Sequence, residues 1–215
     1  LTGMNYADNT YHFRQDSTFL YFFASDYEGL AAVIDIDNDK EIIFGNELTI
    51  DDIVWTGVQP TIKEKSERVG IEITRPMADF ATYVQNAQAK GQRIHFLPPY
   101  RFDNMMLLED LTGIRAAIVK KYASVELIKA VVALRSIKTD EEIEEMEKIC
   151  DVGVDMHLAV MHGCQVGKLE RELAGLAEGI SLSGGSGVSF PVILSQNGET
   201  LHNHCHEQIL QSGRM

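Results

Sequence analysis

The sequence predicts an α/β protein. Three observations carry that expectation. The runs "GLAAVIDI" (29–36) and "EIIF" (41–44) read as strands, joined by the polar "DNDK" that signals a hairpin. Helical stretches with readable starts and stops follow. Strand-like and helix-like segments then keep alternating to about residue 135.

Taken in order, residues 1–16 are polar and are expected to form an irregular lead-in. "STFLYFFA" (17–24) reads as a buried strand, with Arg14, Gln15 and Asp16 as a capped entry that bonds its own backbone. "TIDDIVWTG" (49–57) predicts one or two helical turns closed by Gly57. A helix is expected from Pro76 to Lys90, since proline suits a first helical position and Gly91 a stop. "RIHFL" (93–97) predicts a short strand ended by Pro98 and Pro99. Residues 101–112 and 123–135 predict helices.

The pattern then changes. Thr139 and Glu142 form a capping box, acidic residues crowd the first turns, and Ile143, Met146, Cys150, Val154, His157, Leu158 and Met161 recur at helical spacing. This predicts a long helix stopping at Gly163, and a domain boundary just before it: residues 1–134 and 135–215. A helix at about 168–182 and a turn at "SGGSG" (183–187) follow. "VSFPVIL" (188–194) and "LHNHCH" (201–206) are expected to be strands.

The totals narrow the function. The 215 residues, 45% hydrophobic and 24% charged, suffice for one large domain or two small ones. A net charge of −13 argues against nucleic acid or an anionic membrane as a partner. No apolar run reaches the roughly 18 residues of a membrane span. Cys150, Cys164 and Cys205 are odd in number and include no CxxC, which fits a reducing cytoplasm rather than a disulfide framework.

The candidate chemistry lies near the end. On a strand, His202, His204 and His206 would share one face, and HxH is a spacing that metal sites use. The alternative is that one histidine has a role and the others sit at a strand end. Cys205 would face the other way, and nothing beside it resembles an activated nucleophile. His157 reads as a core-edge histidine rather than a ligand. "SGGSG" lacks the lysine of a phosphate-binding loop and reads as a hinge. Trp55, the sole tryptophan, is either a core anchor or an exposed binding residue.

Three stretches together resemble one family. "YHFRQDSTFLYFFA" with "VWTG" is similar to the N-terminal domain of the aminopeptidase P group. "LRSIKTDEEIEEMEKICDVG" is similar to the entry into its catalytic domain, and "GVSFPVILSQNGETLHNHCHEQILQSGRM" to that domain's first strands. One departure is the Ala24–Tyr27 turn, where the family pattern carries a glycine. The resemblance implies a mixed-sheet domain of creatinase/aminopeptidase P type, followed by the incomplete start of a pita-bread domain.

It also implies a metal-dependent exopeptidase that removes the residue preceding a proline. Two divalent ions, commonly manganese, would bridge the attacking hydroxide. His202 would stand beside the substrate and stabilise the reaction centre without binding metal. Trp55 becomes a candidate substrate contact reaching a neighbouring subunit's site in a homo-oligomer, and His204 a further substrate-binding candidate. The family's five ligands are two Asp, one His and two Glu. The first is expected just beyond the turn that "SGRM" resembles, so no metal is expected on this chain and no activity from it alone. A prolidase-like dipeptidase, a non-catalytic peptide- or protein-binding module, and an independent HxHxH metal protein remain alternatives.

Overall fold

The computed structural model describes residues 3–7, 9–185 and 187–214. They divide into two compact units, Leu1–Arg135 and Ser136–Met215.

The N-terminal unit opens with a small antiparallel hairpin, β1 (Met4–Tyr6) and β2 (Asn9–Thr10), where sequence reading expected no regular structure. Next comes α1 (Ser17–Phe23), a helix where a strand was expected. The reason is the residue before it. The Asp16 carboxylate accepts from the backbone N–H of Thr18 and Phe19 at 2.8 and 3.1 Å, which caps a helix. The aromatic run then stacks at i,i+4, with the Phe19 and Phe23 rings 5.0 Å apart. Gln15 braces the entry, donating to the carbonyls of Ser25 and Tyr27 at 3.0 Å.

The helix closes on Ala24, which sits in the left-handed region at φ 43° while its N–H bonds Leu20 O. This is the turn at which the resemblance implies a glycine. Left-handed backbone strains any residue with a Cβ, and Gly is the usual residue at this cap position. Ala24→Gly is therefore expected to stabilise the unit by about 0.5–1 kcal/mol. A urea midpoint that stays put or falls would refute the strain.

The sheet is mixed. Strand β3 (Ala31–Asp35) pairs antiparallel with β4 (Lys40–Gly45), and β4 pairs parallel with β5 (Ile73–Pro76). A parallel pair needs a long crossover. Here it carries α2 (Ile50–Thr56) and α3 (Ile62–Glu67), each with a complete capping box, Thr49/Asp52 and Thr61/Glu64. Pro76 thus ends a strand instead of starting a helix. It pairs opposite Gly45, and Met77 N–H bonds Gly45 O at 3.1 Å. The helix, α4 (Asp79–Ala89), begins three residues later.

β4 is central and covered on both faces, hence its unbroken apolar run. Ile43 meets Phe23, Ile62 and Ile71 on one side. Phe44 lies against Phe80 and Tyr83 of α4 on the other. Gly45 has no room for a side chain: a Cβ there would stand 2.8 Å from Leu30 and 2.9 Å from Ile62. The unit continues through α5 (Phe102–Thr112), α6 (Ala116–Val119), a 3-10 turn (Lys120–Tyr122) and α7 (Val125–Ser136). "RIHFL" is not a strand. Its bonds go to the start of α7, where Ser124 N–H reaches Phe96 O at 3.0 Å and the Ser124 hydroxyl meets His95 Nδ1 at 2.7 Å.

Asp35 fastens α4 to the hairpin. Its carboxylate accepts from the Tyr83 hydroxyl at 2.7 Å, Asn38 Nδ2 at 2.8 Å and Gln92 Nε2 at 3.1 Å. These donors, Tyr83 foremost, hold it below the usual carboxylate range. A depressed folded-state pKa gives stability that is complete above the unfolded value and is lost as pH falls through the folded one. The unit should therefore lose stability below about pH 4, and Asp35→Asn should flatten that acid limb. Parallel acid-unfolding curves for the two proteins would exclude this role.

The C-terminal unit is built on α8 (Asp140–Gly163) and α9 (Glu170–Gly184). Thr139 and Glu142 cap α8 as its sequence indicates. The side of α8 that receives α9 differs from the expected one. Ile143, Met146, Cys150, Val154, His157, Leu158 and Met161 are exposed, so His157 is not a core-edge residue. The helix carries a second apolar stripe, and α9 packs on that: Gly184 closes on Val152, and Gly163 on Leu173 and Leu176. Gly163 therefore serves close approach; no left-handed stop occurs there.

Residues 188–214 contain no regular strand among those described. Leu194 and Leu210 nevertheless reach the core with Leu173, and a single bridge joins Leu169 to Ile209. Neither strand expected in this stretch is found among the described residues; the backbone from His206 to Leu210 bonds instead to residues 167–171 at the start of α9. Ser186, within "SGGSG", and Met215 lie outside the described residues.

Candidate functional site

Glu170, the first residue of α9, organises the histidine segment. It is fully buried and heads the inward stripe of Leu173, Ala174, Ala177 and Ser181. Its Oε1 accepts from Gln196 N–H at 2.8 Å, and its own N–H donates to Gln208 O at 3.0 Å. Arg171 N–H donates to His206 O at 3.0 Å, and Leu210 N–H to Lys168 O at 2.8 Å. The buried Gln196 side chain ties the two ends together, donating to Ile209 O at 2.9 Å and accepting from Gln211 N–H at 3.0 Å.

The loop between these ties carries the three histidines. Without a strand, period-two alternation does not apply to them. His202 and His204 are exposed in irregular backbone, whereas His206 is half-buried with Nε2 lacking a hydrogen-bond partner. Asn203 shapes the apex, donating to Leu194 O at 3.2 Å and accepting from Cys205 N–H at 3.0 Å. Cys205 is a free, exposed thiol.

No group of three or more His, Cys, Asp or Glu residues able to hold a metal ion is found among the described residues. The donors present do not fit the dinuclear centre that the family resemblance implies.

Trp55 belongs to the N-terminal unit, on α2, and is 88% exposed. That removes the core-anchor reading. Ile50, Val54 and Val58 are exposed around it. Nearby, a cavity of about 320 Å³ is lined by residues including Leu48, Ile53, Pro60, Ile62 and Lys65. Sequence reasoning missed Glu170 and Gln196. A signal for Glu170 was present, since it stands at helical spacing from Leu173, Ala174 and Ala177.

A mixed sheet with helices on both faces, followed in the chain by a helix pair bracing an irregular segment, defines an α/β protein. Solved structures share this fold. Aminopeptidase PepP of Pseudomonas aeruginosa matches at a TM-score of 0.79 and 16% identity, over 99% of this chain and 50% of its own. Zinc-substituted Escherichia coli aminopeptidase P in complex with product matches at 0.80 and 18%, over 99% and 51%.

Residues 1–95 match the family model "Aminopeptidase P, N-terminal domain". The chain carries an N-terminal domain of the aminopeptidase P family. Two curated relatives are probable Xaa-Pro aminopeptidases. That of Chaetomium globosum is 29% identical over 207 residues, 94% of this chain and 33% of the relative. That of Coccidioides posadasii is 25% identical over 213 residues, 95% and 43% respectively. The chain thus spans less than half the length of these relatives.

Proposed function

We propose that this chain serves a metal-dependent Xaa-Pro aminopeptidase, which releases the N-terminal residue preceding proline from peptides. The observation that carries the reading is the reach of the likeness. It covers 95% of the chain in the Coccidioides relative and so extends well past the N-terminal domain.

In this reading His202 stands at the exposed apex of the loop. Its imidazole supplies a hydrogen bond to the oxygen that gains charge when the scissile carbonyl is attacked. His204, also exposed, contacts the peptide. Trp55 offers a large apolar surface to a substrate held by a neighbouring subunit, and the exposed residues around it support a homo-oligomer. The divalent ions, manganese in this reading, would supply the activated water when bound by residues other than those described. The absence of a disulfide among Cys150, Cys164 and Cys205 fits a cytoplasmic setting. No helix among the described residues is long and apolar enough to cross a membrane.

The test is release of the first residue from an Xaa-Pro peptide with Mn²⁺, by the complete gene product and by the 215-residue chain alone. Cleavage is expected from the former and none from the latter. Activity of the 215-residue chain by itself would overturn the expectation that its metal ligands lie elsewhere. A complete product that binds such peptides without cleaving them would favour a binding module.

A further inference from the structure

A charged side chain is rarely buried whole unless a polar neighbour requires it. Glu170 has no exposed surface, and its carboxylate contacts are one-sided: Oε1 accepts from Gln196 N–H, while Oε2 is buried without a partner. The Gln196 amide needs that acceptor. It lies in a segment with no strand to bond it, and a buried N–H left unpaired is costly. The Glu170 backbone meanwhile bonds Gln208 at the other end of the loop. One residue therefore joins both ends of the 197–207 loop, and Asn203 ties the apex back to Leu194 on the same base.

We propose that Glu170 is the positioning residue of the histidine loop: its buried carboxyl closes the loop at its base and so fixes where His202 is presented. The importance of that placement to catalysis rests on the peptidase reading, but the closure itself does not. What the loop uses is an acceptor at Oε1, not a charge. A glutamine keeps that acceptor and a leucine removes it at similar size.

The experiment is amide exchange by NMR on the 215-residue chain, with the His202 ring resonances followed in parallel. Glu170→Leu is expected to speed exchange at residues 196–211 at least about tenfold and to shift the His202 signals, leaving amides in the middle of α8 unchanged. Glu170→Gln should restore both readouts. If Glu170→Leu does not fold, Glu170→Asp replaces it, since the shorter side chain withdraws the acceptor from Gln196. Wild-type exchange and unshifted His202 signals in the variant lacking the acceptor would overturn the proposal. So would a glutamine variant as loose as the leucine one. Neither readout needs peptidase activity, so failure of the functional reading would appear only in the cleavage assay.

Discussion

Phe44→Ala is expected to lower the stability of the N-terminal unit by about 3–5 kcal/mol, the upper range for a core aromatic. Phe44 has no exposed surface. It sits on the central strand, and its ring lies 5.1 Å from that of Phe80 and 5.7 Å from that of Tyr83. Its neighbours on β4, Ile42 and Ile43, are equally enclosed, so the strand cannot shift to fill the space without disturbing the other face. The loss would combine forfeited burial with an unfilled cavity. Ile36→Ala provides the contrast, because Ile36 is 85% exposed and its truncation should change stability by no more than about 0.5 kcal/mol. Urea unfolding followed by circular dichroism measures both. A cost below about 1.5 kcal/mol for Phe44→Ala would mean that β4 is not the packed centre of this unit.

The second large effect concerns the reaction. Under the proposed function, His202→Ala in the complete gene product should reduce kcat on an Xaa-Pro peptide about 100- to 1000-fold, as the loss of one oxyanion donor does elsewhere. KM should change far less, because a group that acts on developing charge contributes little to the ground state. The folded structure should persist, since the His202 side chain is exposed and the loop is held by the hydrogen bonds of Asn203 and Gln196. An unchanged kcat would remove His202 from the chemistry. A rise in KM alone would reassign it to substrate binding.

Much of the architecture was legible because its signals are local. The β3–β4 hairpin and the Thr139 capping box each rest on a few adjacent residues. Thr61 and Glu64 form an equally local signal, which marks the start of α3. The aromatic run at 17–23 was ambiguous by periodicity, and only the Asp16 cap resolves it as helix.

The site was less legible for a physical reason. Whether "LHNHCH" forms a strand depends on whether another strand offers bonds. Here no second strand is present among the described residues of this unit, and only the end of the segment is held, where His206 O accepts from Arg171 N–H. The two apolar stripes of α8 pose the same problem, because spacing identifies both and only α9 selects between them. Motif order did survive these errors: the residues that carry the family likeness were recognisable even where their local conformation was misjudged.

The approach of α8 and α9 at Gly163 and Gly184 has a consequence for how this sequence can drift. A Cβ at Gly184 would stand 2.8 Å from Val152, and one at Gly163 would stand 3.2 Å from Leu173. The charged opening turns of α8, by contrast, lie largely in solvent and can exchange residues freely. Mutational tolerance along the pair therefore runs opposite to chemical prominence. Two positions with no side chain are tightly constrained, whereas the conspicuous acidic run is not.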